Sequence, residues 1–143
     1  MVTREQKRES FRRFLLDRGL KSTIQREFIL EAFLAADGHV STEELYRLVH
    51  KRSARIGYAT VHRTLKLLKE CGLASEGEYG DGRIRYELTP EEHHDHIICI
   101  RCGQIVEFEN NRIEKLIEAV AKDKKYVITR HRLELYGLCP QCQ

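Results

Sequence analysis

Two Cys-x-x-Cys pairs carry the clearest chemistry in this sequence: Cys99 with Cys102, and Cys139 with Cys142. Each pair can bend around one ion so that both thiolates reach it. Two pairs complete a tetrahedral shell of four thiolates, a set that suits zinc. The pairs are separated by 36 residues, more than a zinc ribbon uses, so the ion would tie together the ends of a folded unit. A redox dithiol or a disulfide pair is the weaker reading. A thioredoxin-type site needs its Cys-x-x-Cys at a helix N-terminus after a strand, and neither pair is so placed. A reducing cytosol disfavours disulfides. The fifth cysteine, Cys71, reads as a small residue packed near a helix end.

His93-His94-Asp95-His96 lies three residues before Cys99. In an extended segment His93 and Asp95 share one side, and His94 and His96 the other. The run can therefore feed two different metal sites. His39, Glu87, Glu107 and His131 are further candidate ligands. His131 falls on the apolar face of an expected strand, where an unpaired imidazole would be costly.

These residues need elements to hold them. Phe11, Phe14 and Leu15 mark a basic first helix ending near Arg18-Gly19. Ser22 or Thr23 caps a second, with Phe28, Ile29, Leu30 and Phe33 inward and Asp37-Gly38 as its stop. Ser41 and Glu44 form a capping box, with Val40 and Leu45 as the hydrophobic staple. Leu45, Leu48 and Val49 are the expected buried stripe of that third helix. Val61, Leu65 and Leu68 face the core from a fourth helix starting near Tyr58, with Gly72 just past its end. Strands at 73–78 and 84–88 flank Gly80-Asp81-Gly82. Beyond the first helix, three helices and a hairpin follow the order of a winged helix-turn-helix.

The second half reads strand (97–100), strand (105–108), helix (Ile113, Leu116, Ile117, Val120), then a strand through Val127, Thr129, His131, Leu133 and Leu135. Such a short unit has a thin core, which metal or dimerisation would stabilise. The expected architecture is α+β: a winged-helix domain over 1–88, a hinge at 89–92 (Thr89-Pro90-Glu91-Glu92), and a small α/β dimerisation domain over 93–143.

Charge divides the same way. Residues 1–72 hold 15 Lys and Arg against 9 Asp and Glu, a net +6, and residues 73–143 hold 10 against 13, a net −3. A basic first half suits a polyanion partner. With 41% hydrophobic and 33% charged residues the chain can bury a core. No apolar run approaches the length of a membrane span and the N-terminus lacks a secretory pattern, so a cytoplasmic protein is expected.

Three segments together resemble the ferric uptake regulator (Fur) family: Gly57-Tyr58-Ala59-Thr60-Val61-His62-Arg63-Thr64-Leu65, the run His93-His94-Asp95-His96-x-x-Cys99-x-x-Cys102-Gly103 with Val106-Glu107-Phe108, and Arg132-Leu133-Glu134-Leu135-Tyr136-Gly137. The resemblance spans about Leu20 to Cys142. It implies a homodimeric, metal-dependent transcriptional repressor of A·T-rich, palindromic duplex operators, not an enzyme. It implies structural zinc on Cys99, Cys102, Cys139 and Cys142. It implies a hinge-spanning sensory site on His39, Glu87, His94, His96 and Glu107, and a third site on His93, Asp95, Glu114 and His131. Glutamates at 87 and 107, and the lack of a spare cysteine among the sensory ligands, are most similar to the iron-responsive branch. Ferrous iron is then the co-repressor, with manganese, cobalt or zinc able to substitute. Family members that sense peroxide, zinc or manganese are the alternative. DNA contacts are expected from Lys21, Tyr58, Thr60, His62 and Arg63. His62 departs from the family's usual tyrosine, which leaves it a base edge or a phosphate in place of an apolar thymine contact.

Two other classes fit less well. A zinc deaminase needs Pro before its Cys-x-x-Cys, whereas Ile98 and Leu138 stand there; a full cysteine shell also leaves no open position for catalysis. A non-DNA-binding zinc-ribbon interaction module leaves His39, Glu87, Glu114 and His131 unexplained.

Overall fold

The computed structural model describes residues 2–90 and 93–143; Glu91 and Glu92 of the expected hinge lie outside the described residues. The chain divides into two compact units, Met1–Glu91 and Glu92–Gln143.

In the first unit, helix α1 (Arg4–Asp17) opens with a capping box between Thr3 and Gln6 and buries Phe11 and Leu15. Gly19, at φ +68°, takes the left-handed conformation that ends it. Thr23 caps helix α2 (Ile24–Ala35), which buries Ile29, Leu30, Phe33 and Leu34. Arg8 pairs with Glu31, and Arg12 with Glu27 at 2.9 Å, joining α1 to α2. These guanidiniums hold both carboxyls below the usual carboxylate range.

Strand β1 (Val40–Ser41) leads into helix α3 (Thr42–Arg52), whose Ser41–Glu44 capping box is present. The expected stripe needs one correction. Thr42, Leu45 and Val49 are buried, but Leu48 is 47% exposed. At about 100° per residue Leu48 lies roughly 90° from the centre of the arc that those three define, which carries it off the core face. Helix α4 (Tyr58–Glu70) buries Val61, Leu65 and Leu68 completely. Strands β2 (Ala74–Glu78) and β3 (Ile84–Leu88) follow.

The three strands form an antiparallel sheet in the order β1-β3-β2, with Val40 opposite Tyr86 and Glu76 opposite Tyr86 from the other side. Two residues of β1 are too few to give a period-two pattern, so this strand had no sequence signal. In the hairpin, the Glu78 carboxylate accepts from the Gly80 and Gly82 amides, and Arg85 grips Asp81 with two hydrogen bonds. That pairing depresses the Asp81 carboxyl to about 2.

The second unit contains β4 (Asp95–Cys99), β5 (Ile105–Phe108), α5 (Asn111–Asp123, capped by Asn110) and β6 (Glu134–Gly137). Its sheet order is β5-β4-β6, with β4 antiparallel to β5 and parallel to β6. Strand β4 starts at Asp95, two residues earlier than expected. The last strand is shorter than its alternation suggests. Residues 127–133 precede the strand: its pairing with β4 runs from His96–Glu134 to Cys99–Gly137, and Leu133 contributes only a carbonyl that accepts from the His96 amide. His131 therefore sits on the connection into β6, not on a strand. None of the residues of α5 is fully buried, and Leu116 and Val120 are 66% and 61% exposed. Among the described residues no helix is long and apolar enough to cross a membrane.

Candidate metal centres and nucleic-acid surface

The parallel pairing of Cys99 with Gly137 carries the residues just after β6 to the end of β4. There the sulfurs of Cys99, Cys102, Cys139 and Cys142 all lie within 4.8 Å of one another. Cys102 and Cys139 Sγ are 3.8 Å apart. A metal–sulfur bond of about 2.3 Å requires tetrahedron edges of about 3.8 Å, so the four thiols fit a zinc-sized ion. The amides of Cys102 and Cys139 point at Cys99 Sγ from 3.5 and 3.4 Å. They lower its thiol to about 5, so one thiolate is favoured at neutral pH. Hydrogen bonding with Cys139 pushes Cys142 up to about 12. The sulfurs resist sharing several negative charges, which a bound dication would neutralise.

A second cluster lies at the other end of β4, around Asp95. Ligand atoms of His93, Asp95, Glu114 and His131 also fall within 4.8 Å of one another. His93 Nε2 is 2.9 Å from Asp95 Oδ1 and 3.7 Å from Glu114 Oε1. His131 Nε2 is 3.4 Å from the same Glu114 oxygen and 3.9 Å from Asp95 Oδ1. Asp95 is 1% exposed. Its Oδ2, with Glu114 Oε1 and His131 Nε2, is buried without a hydrogen bond. Orphaned polar atoms in a buried cluster are costly unless a cation satisfies them. Two imidazoles and two carboxylates suit a divalent ion.

His39, His94 and His96 each have a near neighbour within their own unit. In the first, His39 Nε2 meets Glu87 Oε2 at 2.8 Å, and the His39 ring stands edge-on to Tyr79 at 5.0 Å. In the second, His94 and His96 have ring centroids 4.9 Å apart, and His94 Nε2 lies 3.6 Å from Glu107 Oε1. His96 and Glu107 are also direct cross-strand partners. The alternation of the His93–His96 run is thus realised, with His93 beside Asp95 and His94 beside His96.

Helix α4 keeps its apolar stripe inward and turns Tyr58, His62, Arg63 and Lys69 outward. Thr60 is half-buried and accepts from Arg63 at 3.4 Å. Lys21 is exposed immediately before α2. One contact had no sequence signal. The Thr42 hydroxyl, at the start of α3, is 3.4 Å from His62 Nδ1. Twenty residues separate the two, so only tertiary packing of α3 on α4 could reveal it.

The ferric uptake regulator family model matches residues 17–136. The ferric uptake regulation protein of Rhizobium leguminosarum bv. viciae is 42% identical over 122 residues, covering 85% of this chain and 86% of that one. The structure is similar to that of the Helicobacter pylori regulator Fur, described as having three functional metal binding sites. The TM-score is 0.92 at 31% identity, over 99% of this chain and 94% of that one. It is also similar to the Francisella tularensis ferric uptake regulator solved with iron, with a TM-score of 0.80 at 31% identity, over 87% of this chain and 95% of that one. With matches over most of its length in both sequence and structure, the chain belongs to the ferric uptake regulator family of metal-dependent transcriptional regulators.

Proposed function

We propose that this protein is a cytoplasmic, homodimeric repressor that binds A·T-rich palindromic operator DNA when ferrous iron is available. Cys99, Cys102, Cys139 and Cys142 would hold a structural zinc. His39, Glu87, His94, His96 and Glu107 would hold the sensed ion, and His93, Asp95, Glu114 and His131 a further one. The observation that carries the metal dependence is the His93–Asp95–Glu114–His131 cluster, in which one atom each of Asp95, Glu114 and His131 is buried without a hydrogen bond. DNA binding is supported by the exposed basic side of α4 in a winged-helix order. The exposed apolar residues Leu116, Val120 and Ile128 support a second copy as the partner of the α5 side. The chain acts in this reading by binding, with no reaction of its own.

The sensory mechanism follows from ligand ownership. His39 and Glu87 belong to the first unit, and His94, His96 and Glu107 to the second. An ion bonded to both sets restrains the units to one arrangement, and two recognition helices then match successive major grooves. The ion strengthens DNA binding by its preference for that arrangement. Three imidazoles and two carboxylates offer five or six donors, a number that iron, manganese and cobalt accept more readily than zinc, which prefers four. Iron is favoured by the relatives' shared name, ferric uptake regulation protein.

The test is a gel shift with metal-stripped protein that retains its structural zinc, with ferrous iron, manganese, cobalt or zinc restored in turn. Binding of operator DNA only with added metal, at the lowest free concentration for iron relative to its cellular level, is expected. Arg63→Ala and Lys21→Ala should each weaken binding, Lys21→Ala most at A·T-rich flanks. Equal binding with and without metal would overturn the reading.

A further inference from the structure

Helix α4 presents one imidazole to the outside, and two neighbours fix its orientation. The His62 ring lies parallel to the Tyr58 phenol, with an interplanar angle of 5° and centroids 6.4 Å apart. Its Nδ1 faces the Thr42 hydroxyl at 3.4 Å. Tyr58 is itself braced edge-on by Tyr46 at 5.8 Å. The residue is exposed, and an exposed side chain held on both sides is pre-organised for a contact beyond the protein surface.

The direction of the Thr42 hydrogen bond decides what that contact can be. Thr42 is 7% exposed, and a buried hydroxyl hydrogen needs an acceptor. Nδ1 of His62 is the partner it has among the described residues. A hydroxyl that donates to Nδ1 leaves the neutral ring's hydrogen on Nε2. Nε2, on the far side of the ring from Thr42, is then a donor. In the major groove a single donor can bond N7 of either purine or O4 of thymine, but only guanine sets two acceptors, N7 and O6, side by side before it and no competing amino donor.

Resting on the assignment of α4 as the DNA-reading helix, we infer that His62 is a specificity-determining residue that selects guanine at one position of each operator half-site. Thr42 is its positioning residue. Arg63, next along the helix, carries a charge that phosphates and bases both attract, whereas His62 carries a single aimed donor. Its contribution is therefore to sequence choice more than to total affinity.

The experiment is selection of binding duplexes from a random-sequence pool by the manganese-loaded full chain, followed by sequencing. The wild-type protein should enrich guanine at one position per half-site by about five- to tenfold, the lower range for a single base contact. His62→Phe keeps the ring against Tyr58 and removes the donor; it should lose that enrichment and keep the rest of the motif. Thr42→Val should weaken the enrichment. A second measurement needs no variant: 7-deazaguanine at the selected position removes only the N7 acceptor and should reduce wild-type binding several-fold. An unchanged base profile in His62→Phe, full tolerance of 7-deazaguanine, or a uniform loss across all sequences would overturn the inference, the last because it marks a phosphate contact. Failure of the wild-type protein to bind DNA with any metal would instead sink the functional reading beneath it.

Discussion

Cys99 shows how much a single position can hold. It ends β4, accepts two amide hydrogen bonds on its sulfur, and belongs to the four-sulfur group. Metal binding at such a group is folding energy, because the unfolded chain has no preformed site. Cys99→Ser is expected to lose one tightly held zinc per chain and to lower the melting temperature of the second unit. Retention of both, by metal analysis and calorimetry, would show that the four sulfurs do not form one site. The two imidazole–carboxylate groups should separate by role. Glu87→Ala removes a ligand from the first unit's share of the proposed sensory set and is expected to abolish metal-stimulated DNA binding without unfolding the protein. His131→Ala affects a cluster confined to the second unit and should lower stability while only weakening the metal response. Titrations of DNA binding and melting curves on both variants would expose a reversal of these roles.

Elements place these residues by simple periodicities. Helix α4 shows this in Val61, Leu65 and Leu68, spaced so that its other side stays outward for Tyr58, His62 and Arg63. Helix α1 is held differently, by Phe11 and Leu15 on the core and by Arg8–Glu31 and Arg12–Glu27 on α2. Both glutamates have folded values depressed below the usual 4.5. Their stabilisation is therefore present above about pH 4.5 and is lost as pH falls through the lowered folded values. Amide protection factors across α1, corrected for the intrinsic pH dependence of exchange, should fall in acid below that range before those of the α4 core. Glu31→Gln should remove part of that acid dependence. Because both pairs are partly exposed, the effect should shrink in high salt.

At the scale of the whole molecule, the unburied side of α5 is the feature that a single copy leaves unexplained. Leu116 and Val120 line an apolar groove of about 490 Å³ together with Ile113, Tyr126 and Ile128. Large exposed apolar patches mark association surfaces. Leu116→Glu with Val120→Glu places charges in that groove and is expected to shift the mass measured by light scattering from that of the proposed dimer to that of a monomer. DNA affinity should fall in parallel, since one recognition helix replaces two. An unchanged dimer mass would move the interface elsewhere.

Much of this architecture was legible in the residues alone. Capping boxes, the Val61-Leu65-Leu68 spacing and the Gly80-Asp81-Gly82 turn are local devices, whose partners lie within a few residues, so the pattern carries them directly. The Cys-x-x-Cys spacing and the alternation of His93 to His96 are local too, and they announced the ligand types. What tertiary structure decided is everything that depends on distant segments meeting. The two-residue β1 exists because β3 offers it a register at Tyr86 and Arg85. Leu48 is exposed because the core meets α3 along an arc that excludes it. The alternation through residues 127–133 makes no strand because the register with β4 begins only at Glu134. The Thr42–His62 contact, and the meeting of Asp95, Glu114 and His131, join segments tens of residues apart. A sequence pattern records which side of an element is apolar; it holds no record of which other element will pack there.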